Sequence, residues 1–372
     1  EISKLLSNKE VSSVDLVKES LAKIKSMDSE LKSFISVKEE GELLKQAEDA
    51  DKNRNSDSSP LHGIPFSLKD AYVTKDIRTT AGSKLLDSFK SPYDATVYKK
   101  LKEAGAILIG KNNQDSWGHG ASNENTDYGI PKNPWDTGRS PGGSSGGSAV
   151  SVSSRMVGFA IGEDTGGSIR NPSGWCNVSG LKVTYGRVSR YGAIAYASSL
   201  DTVGPMAKTV EDLSLILNEI AGKDPLDASS SSLEIDNYHS KLNDSLKGKK
   251  IGIPMEFLAD GIDPEIKSAV QMAAKEFEKM GAEIIDVSIP FIKHAISIYY
   301  MISASETSSN LGRYDGIRYG TSRKDFSPET ARRIILGTYA LSAGYADELY
   351  NNAQKARTIL IDDYDKAFKK CD

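Results

Sequence analysis

The sequence predicts an α/β fold, a mixed central β-sheet covered by helices on both faces. Two observations carry that prediction. From Gly63 onward, short apolar runs alternate with amphipathic stretches at helical spacing, the order expected when strands and helices are laid down in turn. The glycines, 32 in all, are dense between Gly138 and Gly192, at junctions where a strand turns sharply into a helix. At 372 residues and 38% hydrophobic, the chain is long enough to bury a substantial core.

Composition excludes several classes. Lys and Arg number 47 against 51 Asp and Glu, the formal net charge is −4 and the pI about 5.8. That balance argues against a nucleic-acid module working by charge alone. No apolar run approaches the roughly 18 residues of a membrane span. The start, Glu1-Ile2-Ser3-Lys4, has no apolar signal region and no Met, so the chain is expected to begin after its true start. Two cysteines, Cys176 and Cys371, cannot staple a domain of this size, and a reducing cytoplasm is expected. The four histidines, His62, His119, His239 and His294, form no zinc motif, so no metal site is expected.

Taken in order, residues 1–60 read as helical. Ser12 and Asp15 have capping-box spacing, with Leu16, Val17, Leu21 and Ile24 on one face; Leu43, Leu44, Ala47 and Ala50 mark a second helix. Ile64 to Lys69 reads as a strand. Asp94 to Ala104 reads as a helix closed by Gly105, and Ala106 to Ile109 as a buried strand. A helix starts within Gly146 to Val150, and Val157 to Ile161 returns as a strand. Thr209 and Asp212 cap a helix carrying Val210, Leu213, Leu217 and Ile220. Residues 223–248, with four consecutive serines from Ser229, read as a loop. Lys250 to Ile253 is a strand, Asp263-Pro264 opens a helix that Gly281 closes, and Ile284 to Ile289 is a strand. From Phe291 to Lys370 the chain is mostly helical, with the helix running into the chain end.

Four motifs bear on chemistry. Gly105 to Asn112 has the spacing of a phosphate loop around Lys111. It ends in Asn where Ser or Thr would hold magnesium, and its internal residues are apolar, as in a buried strand. The block Pro141-Gly-Gly-Ser144-Ser145-Gly-Gly-Ser148 runs straight into Ala149-Val150, so its glycines can bring backbone N–H groups close to a ligand instead of acting as a linker. Asp164-Thr165-Gly166-Gly167-Ser168 can present Ser168 on a sharp turn beside free N–H groups; its plain reading is a strand-to-helix turn with a serine cap. A serine nucleophile needs a base. His119, between two glycines, fits a structural place better than a catalytic one. Lys69, closing an apolar strand, is the alternative, because a buried lysine loses its proton readily. Cys176 reads as a small buried hydrophobe without a histidine partner.

Together, Gly63 to Tyr72, Pro141 to Val150 and Gly162 to Gly192 resemble the amidase signature family. In this chain 75 residues separate Lys69 from Ser144 and 24 separate Ser144 from Ser168, which fits that family's catalytic spacing. Tyr185 to Asp212, Glu306 to Gly320 and Arg332 to Tyr345 are similar to the branch formed by the A subunits of glutamyl-tRNA(Gln) amidotransferases. The resemblance implies the amidase-signature fold as a single domain over 1–372. It divides that domain into a helical N-terminal part (1–60), a catalytic core (61–222), the loop at 223–248 and a second part (249–372) that lacks the family's C-terminal segment.

The resemblance also implies roles. Ser168 is the acyl-forming nucleophile, Ser144 a bridging serine on a cis Gly143–Ser144 peptide, and Lys69 the general base. The backbone N–H groups of Thr165, Gly166, Gly167 and Ser168 form the oxyanion hole. Arg333, of the pair Arg332-Arg333, and Tyr299, of the pair Tyr299-Tyr300, hold the substrate glutamine. The chain departs from the branch in being shorter between Gly320 and Arg332, and in the loop Asp115 to His119. The implied activity is glutamine hydrolysis supplying ammonia, with no cofactor in this chain. A partner B subunit binds ATP, magnesium and Glu-tRNA(Gln), and a C subunit completes a cytoplasmic heterotrimer. The alternatives are a stand-alone amidase on small carboxamides, an inactive scaffold protein, and a phosphate-loop nucleotide binder.

Overall fold

The computed structural model describes residues 1–259, 261–318 and 320–372. They form two compact units: Glu1–His239 with Glu306–Ile335, and Ser240–Ser305 with Leu336–Asp372. The segment read as one loop over 223–248 is thus divided. Its first part is tied down within the first unit, where Asp224 accepts hydrogen bonds from Thr96 Oγ1 and Ser189 Oγ, each at 2.6 Å.

In the first unit a short helix α1 (Ile2–Ser7) precedes α2 (Ser13–Leu31). Ser12 and Asp15 complete the expected capping box: Ser12 Oγ accepts from the Asp15 N–H and the Asp15 carboxylate from the Ser12 N–H, both at 3.0 Å. β1 (Phe34–Val37) follows, then α3 (Glu40–Asn53). The strand corrects the all-helical reading of residues 1–60; four residues are too short to show a period, and β1 exists because its partner strand supplies its hydrogen bonds.

The expected elements then appear in order as β2 (Pro65–Lys69), α4 (Thr96–Glu103), β3 (Ile107–Asn112), α5 (Gly146–Ser153) and β4 (Phe159–Asp164), and, after three elements the sequence reading did not anticipate, α6 (Arg170–Trp175), β5 (Ser179–Gly180) and β6 (Thr202–Ala207), the expected α7 (Val210–Ile220). Thr209 caps α7, its hydroxyl accepting from the Asp212 N–H at 3.1 Å.

Among the described residues this sheet has six strands in the order β1-β3-β2-β4-β6-β5. β2 runs parallel to both β3 and β4, and the outer pairings are antiparallel, so the sheet is mixed. Alternate side chains supply its two faces. Phe66, Leu68, Leu108, Phe159 and Ile161 enter a core with α4 and α7, while Ile107, Ile109 and Ala160 enter another with α2, α3 and α5. Both faces are covered, which is why these strands read as unbroken apolar runs. One register shift matters. Leu108 pairs with Phe66, but Gly110 pairs with Ser67, so Lys111 falls beside Leu68 and not beside Lys69.

The second unit is a smaller α/β body. β7 (Lys250–Pro254) and β8 (Glu283–Val287) are parallel and joined by α8 (Pro264–Lys279), the spacing a βαβ connection requires. Asp263 caps α8, accepting from the Glu265 N–H at 2.8 Å, with Pro264 at its first position. α9 (Ala295–Leu311) starts in this unit and ends in the first, and α10 (Pro328–Ala340) does the reverse. α11 (Asn352–Phe368) ends before the last residues, so the helix does not continue into the chain end. Asp372 instead turns back to β7, its N–H donating to the Lys250 carbonyl at 2.8 Å. Among the described residues no helix is long and apolar enough to cross a membrane.

Candidate active site

β2 and β4 are parallel neighbours, so their carboxyl ends lie side by side, where sites form in such sheets. Lys69 ends β2, and Glu163 and Asp164 end β4. The period of two sets the direction of Lys69. Ser67 Oγ lies 3.1 Å from Ser151 Oγ on α5, so Lys69, two residues on, points to the same side, toward the start of that helix. There Lys69 Nζ, fully buried, donates to Ser144 Oγ at 2.7 Å. Its other neighbours are the Glu163 carboxylate, with Oε2 at 3.4 Å, and the Glu163 carbonyl at 3.5 Å.

The Gly143–Ser144 peptide is cis. Gly143 lies where no side chain fits: a Cβ would collide with the Asp115 carboxylate and the backbone nitrogens of Asn123 and Ser122. The next residue carries the link to the second serine. The Ser145 N–H donates to the Ser168 carbonyl at 3.1 Å, and the Asp115 N–H donates to the Ser144 carbonyl at 3.2 Å. Ser168 is 7% exposed, within reach of a ligand, whereas Ser144 is 1% exposed. The Ser168 hydroxyl makes no hydrogen bond among the described residues. The Lys69–Ser144 leg is therefore made directly, and the Ser144–Ser168 leg is approached through backbone; catalytic hydrogen bonds often close only around substrate.

The turn before Ser168 corrects one expectation. The Gly167 N–H donates to Asp164 Oδ1 at 2.8 Å and is not available to an oxyanion. The same carboxylate gathers the Ile169 N–H at 3.0 Å and the Arg170 side chain at 2.9 and 3.1 Å. Burial works to raise the Asp164 pKa, but Arg170 and these N–H groups outweigh it and hold it below its ordinary value. The N–H groups of Thr165, Gly166 and Ser168 have no partner among the described residues. Gly167 has φ +135° with open space around its Cβ position, so backbone conformation, not crowding, calls for glycine.

Arg332 and Arg333 separate cleanly. The Arg332 side chain is 69% exposed and pairs with Glu329 at 2.6 Å; that of Arg333 is 12% exposed. Arg333 donates to Glu329 Oε1 at 2.8 Å and to the Tyr196 hydroxyl at 2.6 Å. Tyr299 lies in the second unit, half-buried on α9, its ring 5.3 Å from that of Tyr300 and edge-on to it.

The remaining candidates fall to structural roles. His119 is fully buried, its ring nitrogens 3.2 Å from Thr330 Oγ1 and Thr307 Oγ1 and its ring edge-on to Tyr196. Burial, and then Arg333, push its pKa well below the ordinary value, so it stays neutral. Lys111 lies within a wholly buried strand and donates to Asp70 Oδ1 and Thr79 Oγ1, both at 2.9 Å, which rules out a phosphate loop. Burial pushes the Cys176 thiol up to about 12. Among the described residues no group of three His, Cys, Asp or Glu could hold a metal.

Three acids that sequence reasoning missed surround the site. Glu163 faces Lys69. Asp201 accepts from Thr165 Oγ1 at 2.7 Å and from the Tyr196 and Ala197 N–H groups; burial and then repulsion from Glu163 push it up to about 8. Asp115 accepts from the Asn123 and Asn125 N–H groups at 2.9 and 3.1 Å and is pushed by burial up to about 6. The one signal available was an acidic pair, Glu163-Asp164, directly after Phe159-Ala-Ile-Gly.

Comparison with known proteins bears on the family of this chain. The Amidase family model matches residues 15–372. The A subunit of glutamyl-tRNA(Gln) amidotransferase from Desulfatibacillum aliphaticivorans is 48% identical, over 99% of this chain and 79% of its own length. The crystal structure of the corresponding A subunit from Thermotoga maritima superposes with a TM-score of 0.82 at 38% identity, covering 97% of this chain and 75% of its own. The peptide amidase of Stenotrophomonas maltophilia superposes with a TM-score of 0.80 at 31% identity, over 95% and 77% of the two chains. With a match running from residue 15 to the last residue, and sequence identity sustained across nearly the whole chain, this protein belongs to the amidase signature family.

Proposed function

We propose that the chain is the glutamine-hydrolysing A subunit of a glutamyl-tRNA(Gln) amidotransferase. One observation carries the chemistry: a fully buried lysine amine donating at 2.7 Å to the hydroxyl of Ser144, on the peptide next to Ser168. The higher identity to A subunits than to the peptide amidase supports the choice of branch.

In the proposed reaction Ser168 Oγ attacks the side-chain carboxamide carbon of glutamine. Its proton passes to Ser144, whose own proton passes to Lys69 as a free amine. The developing oxyanion is met by the N–H groups of Thr165, Gly166 and Ser168, each donor typically worth about 3 kcal/mol. Lys69 then returns a proton through Ser144 to the leaving nitrogen, ammonia departs, and water hydrolyses the glutamyl ester on Ser168 by the reverse relay. Arg333 is the residue assigned to the glutamine α-carboxylate; its planar guanidinium, largely buried and hydrogen-bonded to Glu329 and Tyr196, has the shape that pairs with two carboxylate oxygens. Ammonia goes to a B subunit that binds ATP, magnesium and Glu-tRNA(Gln), with a C subunit in the complex and the cytoplasm as its site of action.

The test is made on the reconstituted complex. Ser168→Ala lowers Gln-tRNA(Gln) formation from glutamine by about four orders of magnitude and leaves formation from ammonium salt intact. Unchanged synthesis from both nitrogen sources overturns the proposal in favour of an inactive scaffold. Turnover of simple carboxamides by the lone chain, unaffected by partners, overturns it in favour of a stand-alone amidase.

A further inference from the structure

We infer that Glu163 is a positioning residue for the Lys69 base: its carboxyl group shares a proton with the Lys69 amine and so sets the pH at which that amine can take the proton of Ser144. The inference rests on the function proposed above and deepens it. An ionisable side chain at position 163 is unexpected on packing grounds, because β4 is buried along its whole length and Glu163 is 2% exposed. Its Oε2 stands 3.4 Å from Lys69 Nζ, while Oε1 is buried with no hydrogen-bond partner among the described residues. A structural ion pair satisfies its carboxylate, since a buried charge left half-solvated is costly. This one does not, and the closer partner of the amine is a hydroxyl at 2.7 Å.

The charged surroundings favour a mobile proton. Lys69 faces Glu163 from β2, Arg190 acts on it from the loop before β6, and Asp201 repels it from the head of β6. Asp164, next along β4, is committed to Arg170; the Tyr72 hydroxyl donates to the Gly162 carbonyl beside it. Asp115 faces the same amine from a further loop, and the Lys69 charge acts to lower its pKa. Burial drives the Glu163 pKa upward and the Lys69 charge pulls it back. With Oε2 3.4 Å from Nζ and, among the described residues, no other cation placed between them, one proton can be carried by either the carboxylate or the amine. When the amine carries it, Lys69 is an ammonium and cannot accept from Ser144; when the carboxyl carries it, Lys69 is a free base. Taking the Ser144 proton makes the ammonium, and the carboxyl group 3.4 Å away lies where it can stabilise that charge. No proton is consumed, because the leaving ammonia takes it back.

The experiment is the pH profile of glutamine hydrolysis, as kcat/KM, in the assembled complex with native chain, Glu163→Gln and Glu163→Asp. Removing the carboxylate removes the charge that keeps the proton on Lys69. The ascending limb of Glu163→Gln therefore moves to lower pH by about one unit or more and reduces to a single ionisation. Glu163→Asp keeps a carboxyl group at greater distance, and its limb moves in the same direction by less. Limbs that superpose on the native one, whatever the change in rate or stability, overturn the inference. If Glu163→Gln fails to fold, the limb of Glu163→Asp decides. Ser168→Ala run alongside separates the two proposals. Loss of hydrolysis in that variant with an unmoved limb in the Glu163 variants sinks only the role of Glu163; hydrolysis that survives Ser168→Ala sinks both.

Discussion

Lys69 and Lys111 stand on adjacent strands of one sheet, both fully buried, and both end an apolar run. Their partners differ. Lys111 has a carboxylate oxygen and a hydroxyl, each at 2.9 Å, and Asp70 in turn accepts the Thr80 N–H at 2.8 Å. Every strong partner there is committed, and the cation works as a cross-link between β3 and the loop after β2. Lys69 has its hydroxyl at 2.7 Å and its carboxylate only at 3.4 Å, with one carboxylate oxygen unpaired. The two side chains also sit on opposite faces, because the register shift at Gly110 sets Lys111 level with Leu68 while Lys69 follows Ser67. Burial alone, then, does not tell the two lysines apart. In the proposed mechanism what separates them is that the partners of Lys111 are a carboxylate and a hydroxyl already committed to it, while the nearest acceptor of Lys69 is a hydroxyl that can trade a proton.

Removing each amine in turn should separate the two lysines most strongly. Lys69→Met lowers glutamine hydrolysis by about 10³-fold or more, measured as kcat; the buried Glu163 carboxyl, already raised by burial, takes up a proton, so the thermal midpoint falls by less than in Lys111→Met. Lys111→Met does the opposite. It leaves Asp70 buried without its cation, costs about 3–5 kcal/mol, and shows as a lower thermal midpoint with near-native activity per folded molecule. Equal losses of activity in both variants, at equal stability, would abolish the distinction.

A more modest change is expected from the acid that holds the Thr165 hydroxyl. Asp201, pushed up to about 8, binds its proton more tightly folded than unfolded. Its contribution to stability is fully present below about pH 4 and is lost as pH rises through 8, so stability should fall across that window. Asp201→Asn should flatten the dependence, read as thermal midpoint against pH; an unaltered slope would show that other groups set it. Least of all is expected at Cys176, whose buried thiol stays protonated. Cys176→Ala should change hydrolysis by less than about twofold, and thiol reagents should leave the native complex active.

Much of this was legible in the chain. Strand β2 could be read because five buried residues close on a lysine, and α2 and α7 because capping residues and apolar spacing agree. The resemblance put Lys69 with Ser144 and Ser168, and the structure brings Lys69 to Ser144 directly and Ser168 to the neighbouring peptide. β1 was not legible, since a four-residue edge strand draws its existence from a partner far along the chain, at Gly110 to Asn112. The division of residues 223–248 was not, because Asp224 is held by Thr96 and Ser189, neither of them near it in sequence.

Local chemistry along the chain settled the list of parts: an alternating α/β order, two glycine turns bearing serines, and a lysine at a strand end. These follow from local propensity, hydrophobic period and turn chemistry, which act over a few residues. Which donors and acceptors those parts keep free was settled only when the chain folded. Folding turned Asp164 onto the Gly167 N–H, taking up one of the four N–H groups expected for an oxyanion, and it set Glu163 beside Lys69 with one oxygen unpaired among the described residues. The reason is that hydrogen-bond supply depends on distance and burial in space, and the residues that compete for a given N–H or proton come from strands and loops far apart in the chain.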